Sequence, residues 1–179
     1  MLSDYPNVML LSGTGRNVGK TTFVCRLLSH FSSLDIITVK VSPHWHQTRQ
    51  GEVLLLDEER LLLMRETNSE SYKDTSRMLR CGAAKVFYLQ HRDVDALLEA
   101  FHYLTEKEVA GNPVVFETAV LGKYINAALH FRITRSDVPP SDKPRIDIPH
   151  DKLVTFNGTD YDLDPGHLNW KNSGWQMSN

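Results

Sequence analysis

Short apolar runs alternate with amphipathic stretches along the chain. Asn7–Ser12 (NVMLLS) is apolar and stops at glycine, which predicts a buried strand. In the following KTTFVCRLLSHF, Phe23, Val24, Leu27, Leu28 and Phe31 fall on one face of a helix. Asp35–Ser42 (DIITVKVS) is rich in β-branched residues and predicts a second strand, stopped by Pro43. Val53–Glu66 carries two apolar runs around Asp57–Arg60. It fits a broken amphipathic helix or a hairpin, and the strand-like length of each run favours the hairpin.

A short helix is expected over KDTSRMLRCGA, with Asp74 or Thr75 capping its start and Gly82 its end. Ala84–Gln90 follows as a strand. DVDALLEAFHYLTE gives the clearest helical stripe, through Val94, Leu97, Leu98, Phe101 and Leu104. NPVVFET reads as a strand, VLGKYINAAL as a short helix and HFRITR as a strand. The four prolines of Ser136–Pro149 mark a loop. Beyond it, KLVTFNGTDYDL holds two short β-like runs around Asn157-Gly158, a hairpin signal. Strands alternating with helices predict an α/β fold of three layers, a mostly parallel sheet with helices on both faces, ended by a C-terminal β-hairpin. The expected boundaries are one domain over residues 1–165 and a polar tail over 166–179, loosely held unless Trp170 or Trp175 docks.

Composition narrows the picture modestly. The chain has 179 residues, 41% hydrophobic and 23% charged, with a net charge of -2. That suits a soluble globular domain and gives no electrostatic case for a nucleic-acid partner. No run approaches the roughly 20 apolar residues that cross a bilayer. The N-terminus lacks a basic segment of the signal-peptide kind, so no membrane partner and a cytoplasmic location are expected. Cys25 and Cys81 lie far apart and form no C-x-x-C spacing, which suggests two reduced thiols.

The strongest chemistry lies in GTGRNVGKTT, Gly13–Thr22. A phosphate-binding loop has the pattern G-x-x-x-x-G-K-[ST] between a strand and a helix. Here Gly19-Lys20-Thr21 fits, and Thr14 takes the position of the first glycine, flanked by Gly13 and Gly15. Backbone amides of Gly15, Arg16, Asn17, Val18 and Gly19 would surround phosphate oxygens, with the helix dipole behind them. Lys20 would neutralise phosphate charge. Thr21 would ligate Mg²⁺ and Thr22 would extend the phosphate contacts. Glu117 closes the apolar strand PVVFE, where a carboxylate faces the ligand crevice of an open α/β sheet. Asp74 fits a helix cap equally well as a metal ligand. Lys40 is a lysine within an apolar strand, and buried lysines are rare without a partner.

GTGRNVGKT resembles the loop of dethiobiotin synthetase, G-T-x-T-x-V-G-K-T. It is also similar to the N-S-G-K-T-T loop of the molybdopterin-guanine dinucleotide biosynthesis protein B (MobB) family. Both belong to the P-loop NTPases. The resemblance covers about Asn7 to Arg135 in element order, with KDT and CGAAKV recurring in MobB-like form. It implies a P-loop NTPase fold, Mg²⁺ held near Thr21, Asp74 and Glu117, and Lys40 beside the phosphates or the substrate. Histidines follow the equivalent lysine in MobB-like chains, so His44 and His46 are expected at the mouth of the pocket. Lys73 is a weaker basic candidate and Asn157 a candidate base contact. ETAVLGKYIN replaces the glycine-rich stretch of dethiobiotin synthetase, which counts against its substrate chemistry.

Three functions are consistent with these residues. One is Mg²⁺-dependent binding and hydrolysis of a nucleoside triphosphate, GTP or ATP, with Lys20 and Glu117 catalytic. Another is an ATP-dependent kinase or ligase acting on a small-molecule substrate. The third is a nucleotide-gated adaptor with little turnover, acting on a protein partner. A homodimer across the nucleotide face is the expectation carried by the class.

Overall fold

The computed structural model describes residues 2–45, 52–118, 120–139 and 148–178. Its centre is an eight-stranded sheet in the order β3-β4-β5-β2-β6-β1-β7-β8. The strands are β1 (Asp4–Gly13), β2 (Ile37–Ser42), β3 (Glu52–Glu58), β4 (Leu61–Glu66), β5 (Lys85–His91), β6 (Val114–Glu117), β7 (Asn126–Arg135) and β8 (Lys152–Phe156). From β5 to β8 every neighbouring pair is parallel, while β3–β4 and β4–β5 are antiparallel. The expected α/β class with a mostly parallel sheet is therefore present, and so is the hairpin at Val53–Glu66.

Among the described residues three α-helices flank the sheet: α1 (Lys20–His30), α2 (Asp74–Arg80) and α3 (Val94–Tyr103). The alternation of β1 sorts them. Met9 and Leu11 pack with Phe23, Leu27 and Met78 in one core, whereas Val8 and Leu10 pack with Leu97, Phe101 and Leu104 in another. So α1 and α2 cover one face and α3 the other. A strand buried on both faces needs a continuous apolar run, which is what Val8–Leu11 supplies. Helix α2 ends in a Schellman turn: Gly82, at φ 101°, donates to Leu79 and Ala83 donates to Met78. The helix stops where the sequence placed its glycine. Lys73, not Asp74 or Thr75, holds its N-cap position and provides no side-chain cap.

The carboxyl-terminal third departs from the pattern. The helix expected over VLGKYINAAL is a single 3-10 turn, Leu121–Lys123, because Asn126, Ala127 and Leu129 pair with β1 as the start of β7. Ladder bonds to a central strand override a modest helical preference. The run before Asn157-Gly158 forms β8, but β8 pairs in parallel with β7 rather than with the residues after the turn. The return is one antiparallel bridge, Phe156 to Tyr161. A C-terminal antiparallel hairpin does exist, and it lies later, as β9 (Leu168–Lys171) and β10 (Gly174–Met177). Those residues lie in the polar tail, expected to be loosely held unless Trp170 or Trp175 docks. Trp175 is the reason they are fixed: it is 3% exposed and packs edge-on against Phe31 and Trp170. Gly174 lets the hairpin lie against Pro6, whose atoms stand 3.2 Å from where a β-carbon would be.

The cysteines correct a second expectation. Cys25 of α1 and Cys81, just after α2, form a disulfide across 56 residues of sequence, with α-carbons 5.3 Å apart. Spacing along the chain hid a pair that two adjacent helices bring together. Among the described residues no helix is long and apolar enough to cross a membrane.

Candidate functional site

A cleft of about 580 Å³ opens at the carboxyl ends of the central parallel strands. Sheet register builds its floor. Lys40 of β2 stands opposite Glu117 of β6, and Glu117 stands opposite Leu11 of β1, which leads directly into the glycine-rich loop. From that loop Arg16, Asn17, Val18, Gly19, Lys20, Thr21 and Thr22 line the cleft, and Lys40, Asp74 and Glu117 line it too. Four separate elements thus bring the sequence-derived candidates into one place.

Their contacts form a closed polar set. Thr21 Oγ1 donates to Glu117 Oε2 at 3.1 Å. Lys40 Nζ donates to Glu117 Oε1 at 3.2 Å and also to Asp74 Oδ2. The Glu117 side chain is only 7% exposed, against 46% for Asp74, so the set runs from a buried end to an open one. Burial by itself would lower the Lys40 ammonium, but Glu117 and Asp74 outweigh it and hold the group above its usual range. Lys20 goes the other way. Burial draws it below its usual value, only partly offset by the Glu117 carboxylate. Its Nζ donates to the carbonyl of Gly15 at 3.1 Å.

The glycines have distinct tasks. Gly13, Thr14 and Gly15 do not line the cleft; they back it. A β-carbon on Gly13 would lie 2.8 Å from Lys20 Nζ, so glycine there leaves room for the lysine to cross its own loop. Thr14 continues the pairing with β7, its amide donating to Ile133 at 3.0 Å and its hydroxyl to Thr134 at 3.2 Å. Threonine at this position is thus accommodated by the sheet. Asn17 at φ 55° and Gly19 at φ 100° turn the chain through the left-handed region twice within three residues.

At the start of α1 no side chain caps the helix, so its first-turn amides face the cleft without that partner. Helix α3 is the contrast, since Asp93 Oδ1 accepts from the amide of Ala96 at 2.9 Å.

Several residues in or against the cleft were not foreseen: Phe156, Arg135 and Arg77 line it, and Tyr161 backs the loop. Phe156 and Tyr161 stack at 4.6 Å, and the Tyr161 hydroxyl donates to the Gly19 carbonyl at 2.5 Å. Burial raises this phenol above its usual value, which keeps it a donor. A β-carbon on Gly19 would meet Tyr161 Oη at 2.7 Å and Phe156 Cδ1 at 2.9 Å. Arg135 donates to the Asn17 carbonyl at 3.1 Å, lies 5.4 Å over Phe156 and pairs with Asp137. Arg77, one turn beyond Asp74, also lines the cleft. Only tertiary placement marks Phe156, Tyr161 and Arg135, because their strands and turn become neighbours of the loop through β7 and β8.

Other candidates fall elsewhere. Lys73 pairs with Glu52, and Asn157 Oδ1 accepts from Thr159 and Asp160 within its own turn. His44 is exposed and not among the lining residues, and His46 lies outside the described residues. Among the described residues no three His, Cys, Asp or Glu side chains gather as a metal cluster. Among the described residues the cleft offers the carboxylates of Asp74 and Glu117 and the hydroxyls of Thr21, Thr22 and Ser42 as oxygen donors, with Lys20 and Lys40 beside the two acids. Comparison of the chain with family models, curated proteins and solved structures gave no match.

Proposed function

We propose that this cleft binds a nucleoside triphosphate with Mg²⁺ and that the protein is a P-loop NTPase of MobB-like type. The observation that carries the reading is the convergence of Lys20, Thr21, Lys40, Asp74 and Glu117 at one uncapped helix start. An uncapped helix N-terminus beside lysine favours polyphosphate, because orphan amides and the dipole both attract anions. Mg²⁺ prefers oxygen ligands and is commonly held by one or two carboxylates with substrate phosphates and water. Thr21, Glu117 and Asp74 fit that demand.

In this reading Lys20 leaves the Gly15 carbonyl and neutralises the β- and γ-phosphates. Glu117, fixed by burial, would help hold the metal or orient an attacking water. When bound, Mg²⁺ would draw charge from the transferring phosphoryl group. Arg135 and Phe156 flank the loop where a ribose or base would leave the phosphates. Either GTP or ATP is consistent with these contacts. A small-molecule kinase or ligase and a slow nucleotide-gated adaptor share the same nucleotide site, and they differ in turnover. Binding of fluorescent ATP and GTP analogues, followed by phosphate release with and without added carboxylate substrates, tests the reading. Micromolar binding that needs Mg²⁺ supports it. No binding of either nucleotide at millimolar concentration would sink it.

A further inference from the structure

The Lys40 ammonium occupies the position between Asp74 and Glu117 that a cation shared by these carboxylates would take. It contacts both acids, and Glu117 in turn accepts from Thr21. Both carboxylates of the floor are thus already organised around one positive charge. A divalent cation needs those same oxygens, and two cations cannot both sit within contact distance of them without strong repulsion.

Charge balance sharpens the point. On the cleft floor Asp74 and Glu117 offset Lys20 and Lys40, and around them Arg16, Arg77 and Arg135 add positive charge. A divalent ion added alone would add two further positive charges in a partly buried place, which low dielectric penalises. A divalent ion arriving with a polyphosphate brings its own compensation. The Lys40 side chain is 24% exposed and its outer partner Asp74 is 46% exposed, so the ammonium has room to leave, whereas Glu117 does not.

We propose that Lys40 is a resident counter-ion that a divalent cation must displace, so that cation and polyphosphate are taken up together and the cation is not taken up alone. The displaced ammonium then moves from the carboxylates to the incoming anion. The identity of that anion rests on the nucleotide reading, but the exchange at Asp74 and Glu117 does not.

The test is Mn²⁺ binding to the full chain, read from the loss of the free-ion paramagnetic resonance signal. Wild-type protein, Lys40→Met and Lys40→Gln are compared without nucleotide. Both variants should bind Mn²⁺ about tenfold or more tightly than wild type, within the usual range for coupled sites. Adding Asp74→Asn to Lys40→Gln should remove the gain. Equal Mn²⁺ affinity in wild type and both variants would overturn the exchange. Should the variants fail to fold, wild type alone decides: saturation by micromolar Mn²⁺ without nucleotide contradicts the proposal, and its absence supports it. If the variants gain Mn²⁺ while no nucleotide binds wild type, the nucleotide reading falls and the exchange stands. If nucleotide binds and the variants gain nothing, the reverse holds.

Discussion

Two polar clusters border β1, and they are built on opposite terms. One is Thr21, Lys40, Asp74 and Glu117, which carries full charges and opens onto the cleft. The other is Ser12 with His130, both at most 7% exposed. There His130 Nε2 lies 2.9 Å from Ser12 Oγ, and the His130 amide donates to Asp151 Oδ2 at 2.7 Å. Burial pushes the His130 imidazole below its usual value, with a bond to the Pro149 carbonyl partly offsetting this. A neutral ring with a settled partner joins β1 to β7, and its hydrogen bonds are made within the protein. The charged cluster instead lends Lys40 to its own acids, and that arrangement is reversible. Burial with satisfied bonds therefore reads as structure, and charge gathered at an open floor reads as exchange.

The largest expected effect concerns what holds the charged cluster together. Its two helices, α1 and α2, are joined by Cys25–Cys81. Reduction with a dithiol should lower unfolding free energy by about 2–4 kcal/mol, the usual range for a long closed loop. Denaturant titration checks this. Amide exchange should rise around residues 74–80 and stay unchanged around Ser12 and His130. Uniform loosening of both regions would remove the distinction.

Next comes Lys20→Ala, which should weaken triphosphate binding by roughly a hundredfold, about 2.7 kcal/mol. Stability should change little or rise, because Lys20 is a charge held in an unfavourable place. Calorimetric Kd and a melting curve measure the two halves of that statement.

His130→Ala should do the opposite. It should cost about 1–3 kcal/mol by leaving the Ser12 hydroxyl unpaired, while nucleotide affinity stays within about twofold, the scale of a distant, independent site. A large loss of affinity in this variant would merge the two clusters into one.

The smallest effect is a pH dependence. The folded-state pKa of His130 is lowered, so the unfolded chain binds more protons in the window below the ordinary value of 6.5. Stability from this group is therefore present above pH 6.5 and is lost as pH falls through the folded value. Unfolding free energy measured between pH 7 and 5 should decline less in His130→Gln than in wild type.

Legibility followed the same divide. Lys20, Thr21, Asp74 and Glu117 were readable because each stands where a strand or helix begins or ends, and Lys40 because a lysine within an apolar strand is unusual. Asp74 was open between cap and site, and its contact with Lys40 places it in the cluster while Lys73 holds the N-cap position. Phe156, Tyr161 and Arg135 were not readable, since their value depends on β8 lying beside β7 rather than folding back on itself. Cys25 and Cys81 were misread for a related reason: their closeness belongs to helix packing. Asn126–Leu129 had helical character locally and became strand because β1 offered it a ladder. In each miss a contact between distant segments outweighed a local preference.

The most direct measurement is isothermal titration of Mg-ATP and Mg-GTP into the wild-type chain and into Lys20→Ala. Saturable binding of at least one nucleotide to wild type, dependent on Mg²⁺ and weakened by roughly a hundredfold in the variant, is the expected result. Absence of binding to wild type, or equal binding to both proteins, would contradict a triphosphate site at the start of α1.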